Sequence, residues 1–451
     1  MAELTYPSLT ELRLLLGAAG GAGGSAVASS ICTDTRRLRP GALFVALPGP
    51  AHDGHDFVGT ALQGGALAAV VDRAWQAGNL AESRLLRVDS PLQAYQAIAR
   101  WQRQQFAGPV IGVTGSVGKT TTKELIAAAL ASLGPVLATA GNLNHETGVP
   151  ITLLQLAPHH RAAVIEMGMR GPGQILELAA VALPEVAVIT NVGTAHIGLL
   201  GSRLAIARAK CELLESLGPG AVAVLNADCP LLLETARSVW QGPKITFGLT
   251  GGDLHGRLVD ERILEVDGRR LRVPLAGAHH GCNFLAALAV ARHLGVSWDQ
   301  LGDLTVTLPS GRGGRVERPD GVVLLDESYN AAPESTRAAL ELLGREPVQR
   351  RIAVLGTMLE LGDHSLALHH AVGEAVAKLG VDLLLVLAPP AEAAALTGGA
   401  TGVPCRCHAS RDELVEDLRT TLRPGDGVLF KASRAVGFDQ VIAALCAVPP
   451  G

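Results

Sequence analysis

The run Val110-Ile111-Gly112-Val113-Thr114-Gly115-Ser116-Val117-Gly118-Lys119-Thr120-Thr121-Thr122-Lys123 constrains this chain more than any other segment. A short β-branched stretch ends in two closely spaced glycines, and Gly-Lys-Thr then opens an Ala/Leu-rich helix that the pattern extends to Leu133. Such a junction cradles phosphate. Glycines let backbone N–H groups approach anionic oxygens, the helix N-terminus adds positive potential, and the lysine adds a point charge. Gly115, Ser116, Val117, Gly118, Lys119, Thr120 and Thr121 are therefore the expected nucleotide-binding residues, with the Thr120 hydroxyl placed to bind Mg²⁺. The usual pattern has a glycine five residues before Gly118; Val113 stands there, so the loop is a variant.

The rest of the chain reads as more strand–helix alternation. Strands ending at Glu166, at Thr190 and near Leu225, with a helix over 204–217, predict a parallel sheet covered on both faces. Residues 254–275 alternate apolar and polar around Asp267-Gly268 and predict an antiparallel hairpin, followed by a helix from Gly281 to Leu294. Beyond Leu308-Pro309-Ser310-Gly311 the alternation resumes, with strands at 322–325, 352–355, 383–387 and 428–430. At about 150 residues per domain, 451 residues predict three. Residues 1–107 form a small α/β domain, 108–308 a central doubly wound domain with the phosphate loop, and 309–451 a Rossmann-like domain.

Composition narrows the class. Hydrophobic residues are 48% and charged residues 18%, enough apolar matter for a core in each domain. A net charge of −4 without a basic block argues against a nucleic-acid binder. The most apolar stretch, Val381–Leu387, carries Asp382 and runs into Pro389-Pro390, so no membrane span is expected. Glu3 and Glu11 stand where a secretory signal needs Lys or Arg. Seven cysteines, an odd number with no C-x-x-C, read as reduced thiols, and the expected location is the cytoplasm.

Strand ends supply the next candidates, because carboxyl ends of parallel strands line the ligand crevice. Glu166, closing Ala163-Val164-Ile165-Glu166, faces the phosphate loop and is a candidate Mg²⁺ ligand; His196, in Asn191-Val192-Gly193-Thr194-Ala195-His196, lies beyond another strand end. Lys210 sits in a helix amid arginines, and spacing alone makes it a solvated helix lysine. Yet only six of the 38 Lys and Arg residues are lysines, so a lysine at a motif position invites a chemical reason.

Together these segments resemble the Mur ligases, the ATP-dependent amide-forming family of bacterial cell-wall synthesis. The resemblance spans nearly the whole chain. It rests on Asp34-Thr35-Arg36 and Asp53-Gly54-His55-x-Phe57, on TGSVGKTTTK with Gly141-Asn142-Leu143-Asn144, and on Glu166-Met167-Gly168 with the Asn191–His196 element. In the last third it rests on Gly311-Arg312, Asp326-Glu327-Ser328-Tyr329-Asn330-Ala331, Gly356-x-Met358-x-Glu360-Leu361-Gly362 and Lys431-Ala432-Ser433-Arg434. His145, His280, Ala332 and Ala432 depart from the family pattern beside these motifs.

The resemblance implies a γ-phosphoryl transfer from ATP to a substrate carboxylate, then attack of an amine on the acyl phosphate. It implies that Lys119 holds the β- and γ-phosphates, that Thr120 and Glu166 bind one Mg²⁺, and that His196 and a carbamylated Lys210 bind a second. Arginine could not replace that lysine, because only a neutral amine reacts with CO₂. Arg312 would contact phosphate, Asp326 or Glu327 the ribose, and Asn283 the adenine side, with Tyr329 near the nucleotide. Thr35, Arg36 and His55 would face a UDP-sugar, and Asn142, Asn144, Asn330, Ser433 and Arg434 the peptide substrates. The EMG, SYNA and GxMxELG versions favour the dipeptide-adding branch, whose substrates are UDP-N-acetylmuramoyl-tripeptide and D-alanyl-D-alanine; a monomer is expected. The rivals are a folylpolyglutamate synthase-like ligase, which lacks such an amino-terminal domain, and a phosphate-loop nucleotide switch, which usually carries a strand-terminal Asp for Mg²⁺.

Overall fold

The computed structural model describes residues 6–447 apart from Pro50, Gly302 and Asp303. Glu3, used above in the argument on export signals, and the ends of the first and third expected domains lie outside the described residues. Three sheets follow one another along the chain.

The first sheet is four short parallel strands, β1 (Ile31–Cys32), β2 (Leu43–Val45), β3 (Ala68–Asp72) and β4 (Leu85–Val88), in sequential order. The second has nine: β5 (Val110–Thr114), β6 (Val136–Ala138), β7 (Ala162–Glu166), β8 (Val186–Ile189), β9 (Val222–Asn226), β10 (Lys244–Gly248), β11 (Leu254–Leu258), β12 (Ile263–Val266) and β13 (Arg269–Arg272). Their spatial order is β13-β12-β11-β10-β9-β8-β5-β7-β6. The third runs β14-β15-β19-β16-β17-β18, from β14 (Gly314–Glu317), β15 (Val323–Asp326), β16 (Arg350–Gly356), β17 (Leu383–Leu387), β18 (Cys405–His408) and β19 (Asp426–Lys431). Only β14, paired with β15, is antiparallel there.

The interior strands β5, β7, β8, β9 and β19 are buried along their whole lengths. That is why they appear in the sequence as continuous apolar runs rather than alternating ones. The segment 254–275 corrects the expected single hairpin. Asp267 (φ 48°) and Gly268 (φ 72°) do turn β12 into β13, but β11 also pairs antiparallel with β12, so the unit is a three-stranded meander. The Asp260 carboxylate accepts from the Arg262 and Ile263 N–H groups and makes the extra turn.

Helix Pro91–Gln104 joins the first sheet to the second and is fastened to both sides. Tyr95 and Ile98 belong to the first domain's core. Gln96 donates to Glu177 (2.6 Å), Gln102 to the Leu156 carbonyl (3.2 Å), and Arg103 to the carbonyls of Phe106, Ala182 and Leu183 (2.9–3.0 Å). Arg103 is only 5% exposed and also pairs with Glu185, whose other oxygen accepts from the Val110 N–H at 2.7 Å. A cation thus satisfies the carbonyls ending helix Gln174–Ala182 while its partner pins the first residue of β5. Arg103→Ala leaves three carbonyls without their buried donor and the exposed Glu185 without its partner, and is expected to lower unfolding free energy by about 3 kcal/mol. Urea denaturation with an unchanged m-value checks this.

Candidate active site

Strand order decides which side chains meet. β5 lies between β7 and β8, with Val113 level with Glu166 on one side and Val188 on the other. The loops leaving these three strands therefore share one end of the sheet, where connections diverge to opposite faces. Glu166, 2% exposed, accepts from the Thr120 hydroxyl at 2.8 Å on one oxygen and from the Asn144 amide at 2.7 Å on the other. Thr120 and Glu166 thus present hard oxygens side by side at the mouth of the phosphate loop. Among the described residues no cluster of three or more His, Cys, Asp and Glu groups forms a protein cage for a metal. A site with few protein oxygens fits Mg²⁺, which keeps waters and takes substrate phosphates as ligands.

The phosphate loop is braced from β8. The Asn191 side chain accepts from the Val117 N–H (3.0 Å) and donates to the Val117 carbonyl (3.0 Å), and the Thr190 hydroxyl donates to the same carbonyl (2.7 Å). Ser116 donates its N–H to the Asn191 carbonyl and its Oγ accepts from the Gly193 N–H. Two glycines are required by space as well as by dihedral angle. A Cβ on Gly115 (φ 154°) would lie 1.8 Å from Thr190 Oγ1, and one on Gly118 (φ 81°) would lie 2.7 Å from Asn283 Oδ1. Lys119 folds back on the Gly115 carbonyl at 2.9 Å, and burial lowers its pKa.

His196 follows in a left-handed conformation (φ 67°), and its Nδ1 contacts the Glu360 carboxylate. A carboxylate only accepts, so Nδ1 carries the hydrogen and Nε2 keeps its lone pair for a ligand. Burial, followed by the Lys119 charge, lowers the His196 pKa and favours that neutral ring. Lys210, in helix Arg203–Glu215, is 1% exposed. This corrects the solvated-lysine alternative. Burial first, and then the Lys119 ammonium, push its pKa well below the ordinary lysine value, so its neutral amine is far more accessible than on a surface lysine.

The central sheet and the third domain enclose one crevice of about 1250 Å³. Ser116, Val117, Gly118, Lys119, Thr120 and Thr121 line one wall, with Glu166, His196 and Asn283 beside them. Asn142 and Asn144 also line it; Arg312, Glu327, Tyr329, Asn330, Ser433 and Arg434 contribute from the third domain. Arg312 lies 3.9 Å over the Tyr329 ring, and its buried Nε has no hydrogen-bond partner. Lys431, on the same wall, donates to the Glu327 and Asn330 carbonyls.

Other predicted residues sit elsewhere. Gly115 and Lys210 lie behind the crevice wall rather than on it. Asp326 spends its carboxylate on the Ser328 N–H and hydroxyl and the Gly311 N–H, so of the proposed ribose pair only Glu327 faces the crevice. Thr35, Arg36 and His55 are remote from the crevice, in the first domain. Arg36 forks onto Asp34 and is 87% exposed. His55 is buried, with Nδ1 against Asp53 and Nε2 accepting the Asp72 N–H at 2.9 Å, so it ties β3 to the 53–57 turn instead of facing a ligand. Asn191 and Glu360 occur in motifs noted above without an assigned role. Glu334 and Asn226, whose amide donates to the Thr190 carbonyl at 2.7 Å, gave no sequence signal.

Known proteins match this arrangement throughout. Residues 28–103 match the family described as Mur ligase family, catalytic domain; residues 113–291 match Mur ligase middle domain; and 311–434 match Mur ligase, glutamate ligase domain. The chain is 52% identical over 423 residues to UDP-N-acetylmuramoyl-tripeptide–D-alanyl-D-alanine ligase of Synechocystis sp., covering 94% of this chain and 93% of that protein. A crystal structure of MurF from Acinetobacter baumannii superposes with a TM-score of 0.89 at 31% identity, over 99% of this chain and 100% of the other. MurF ligase from Thermotoga maritima in complex with ADP gives 0.82 at 32% identity, over 92% and 96%.

Gly115→Ala is expected to weaken nucleotide binding about tenfold or more, since Thr190 must abandon the Val117 carbonyl to admit a Cβ at a φ that costs about 1–3 kcal/mol. Calorimetric titration with ADP measures it.

Proposed function

The chain belongs to the Mur ligase family, and from that premise we propose that it joins D-alanyl-D-alanine to UDP-N-acetylmuramoyl-tripeptide with hydrolysis of ATP to ADP and phosphate. The observation that carries this reading is the single crevice, in which the braced phosphate loop, Glu166 and His196 meet Arg312 and Tyr329 of the third domain. The γ-phosphoryl group of ATP passes to the tripeptide carboxylate, and the amine of the dipeptide then attacks the acyl carbon and expels phosphate.

The phosphoryl transfer brings like charges together, and the chain answers with fixed cations and donors. The backbone N–H groups of Gly118, Lys119 and Thr120 and the Lys119 ammonium hold the β- and γ-phosphates. Arg312, its Nε unsatisfied inside the protein, reaches them from the opposite wall. Thr120 and Glu166 would hold one Mg²⁺; His196 through Nε2, with Lys210 as a carbamate, would hold a second. When bound, Mg²⁺ supplies neutralisation between a carboxylate and a triphosphate. Carbamate formation would add CO₂ to the neutral Lys210 amine with release of one proton, giving a buried anionic oxygen ligand. Asn283, beside Gly118, would lie on the adenine side, and Glu327 and Tyr329, both on the crevice, would face the ribose and border the nucleotide. Asn142 and Asn144 border the tripeptide path, and Asn330, Ser433 and Arg434 the dipeptide end. The UDP-sugar is assigned to the first domain, at Thr35 and Arg36.

The division at 107/108 and 308/309 belongs to the same reading. So does a monomer, because one chain supplies both crevice walls. Among the described residues no helix is long and apolar enough to cross a membrane, and the seven cysteines are free; we place the reaction in the cytoplasm. The match over residues 28–103 favours this reading over a folylpolyglutamate synthase-like ligase.

The test is ADP release together with the mass of the coupled product. ADP should appear only with the UDP-tripeptide present, and the adduct only with both substrates; release indifferent to both would support the nucleotide switch. Lys119→Ala should abolish phosphoryl transfer while leaving UDP-tripeptide binding intact, as read by calorimetry. Lys210→Ala should lose ligation and regain part of it with added short carboxylates, while Lys210→Arg should stay inactive. An active arginine variant rules out the carbamate.

A further inference from the structure

The third domain touches the loop after β8 at three consecutive places. Glu334, in the first turn of helix Pro333–Arg345, is not needed by its own helix, because Ser335 Oγ accepts the Ala332 N–H. Its carboxylate instead crosses to Thr194, accepting the N–H at 2.8 Å and the hydroxyl at 3.0 Å. Gly193 makes room for it: a Cβ there would lie 2.8 Å from the Glu334 carboxyl. Next along the loop, His196 meets Glu360, and the Gly198 N–H donates to the Glu360 carbonyl at 2.9 Å.

The other side of this loop faces the phosphate site. The Gly193 N–H holds Ser116 Oγ at 2.9 Å, and Asn191 holds both backbone groups of Val117. Residues 191–196 are therefore a strap with one edge on the phosphate loop and the other on the third domain. We propose that Glu334 is a positioning residue for the ligation reaction: by gripping Gly193-Thr194 it couples docking of the third domain to the set of the phosphate loop. The proposal rests on the ligase reading for its catalytic consequence, though not for the contact itself. Glu334 takes no part in the chemistry. Its removal therefore lowers turnover while leaving the nucleotide's own contacts intact.

The intact chain is assayed as wild type, Glu334→Ala, Gly193→Ala and the double variant, with thermal unfolding as a check on folding. Glu334→Ala is expected to lower kcat about tenfold or more, with KM for ATP changed less than about threefold. Gly193→Ala pushes the carboxylate off Thr194, so it should cost heavily in the wild-type background and little when Glu334 is already alanine. Multiplying losses in the double variant, or an unchanged kcat in Glu334→Ala, would overturn the proposal. Should Glu334→Ala fail to fold, Glu334→Gln keeps the volume and one acceptor and is expected to show a smaller kcat loss; full activity there also refutes it.

Small-angle scattering with a non-hydrolysable ATP analogue gives a readout independent of the substrates. The wild type should compact and Glu334→Ala should stay more extended. Equal compaction would refute the clasp, whereas a wild-type chain that compacts yet joins no peptides would refute the assigned reaction and leave the clasp standing.

Discussion

A phosphate loop works only if its backbone N–H groups stay aimed at a ligand rather than at each other, and that arrangement does not hold itself together. Here Val117 is held at both its N–H and its carbonyl by one side chain, Asn191, with Thr190 on the same carbonyl. The neighbouring strand thus sets the loop. Because β8 lies next to β5, the brace, His196 and the docking surface for the third domain all leave from one strand end. Had another strand stood there, none of the three would reach.

The crevice carries both signs of charge: Lys119, Arg170, Arg312, Lys431 and Arg434 line it together with Glu146, Glu166, Glu177, Glu327, Glu334 and Glu360. Lys119 stands at the phosphate loop with Arg312 on the opposite wall, and burial lowers the pKa of Lys119 and of Lys210 behind the wall. Holding a buried cation is unfavourable in the free protein and becomes favourable once a triphosphate enters, so the cost is recovered on binding.

Much of this was legible in the sequence, and the reasons are specific. Buried parallel strands such as Ala162–Glu166 are continuous apolar runs, and a Gly-Lys-Thr turn has few alternative explanations. Glu166 and His196 followed from the rule that ligands gather at strand ends. What escaped was anything whose meaning depends on a partner far along the chain. Glu334 looks like an ordinary helix-start acid until Thr194, 140 positions away, is seen beneath it. His55 and Asp326 lie in motifs, yet His55 is tied to Asp53 and to the Asp72 N–H of β3 and Asp326 to the turn at Ser328, because motif membership does not reveal which way a side chain points. The meander at 254–272 reads as one hairpin in the sequence because its other turn rests on Asp260 and carries no Asp-Gly signal.

Five of the six outermost strands share a trait, while the sixth, β4, is covered by residues 19–22. β13 exposes Arg269, Arg270 and Arg272; β14 carries Arg315 and Glu317; β18 carries Arg406; and β1 and β6 are two and three residues long. An unpaired strand flank is a template for another copy's backbone, and charge or brevity denies it that role. A catalyst built on three open sheets needs such guarding in a crowded cell, where its own nascent copies are the nearest strands on offer.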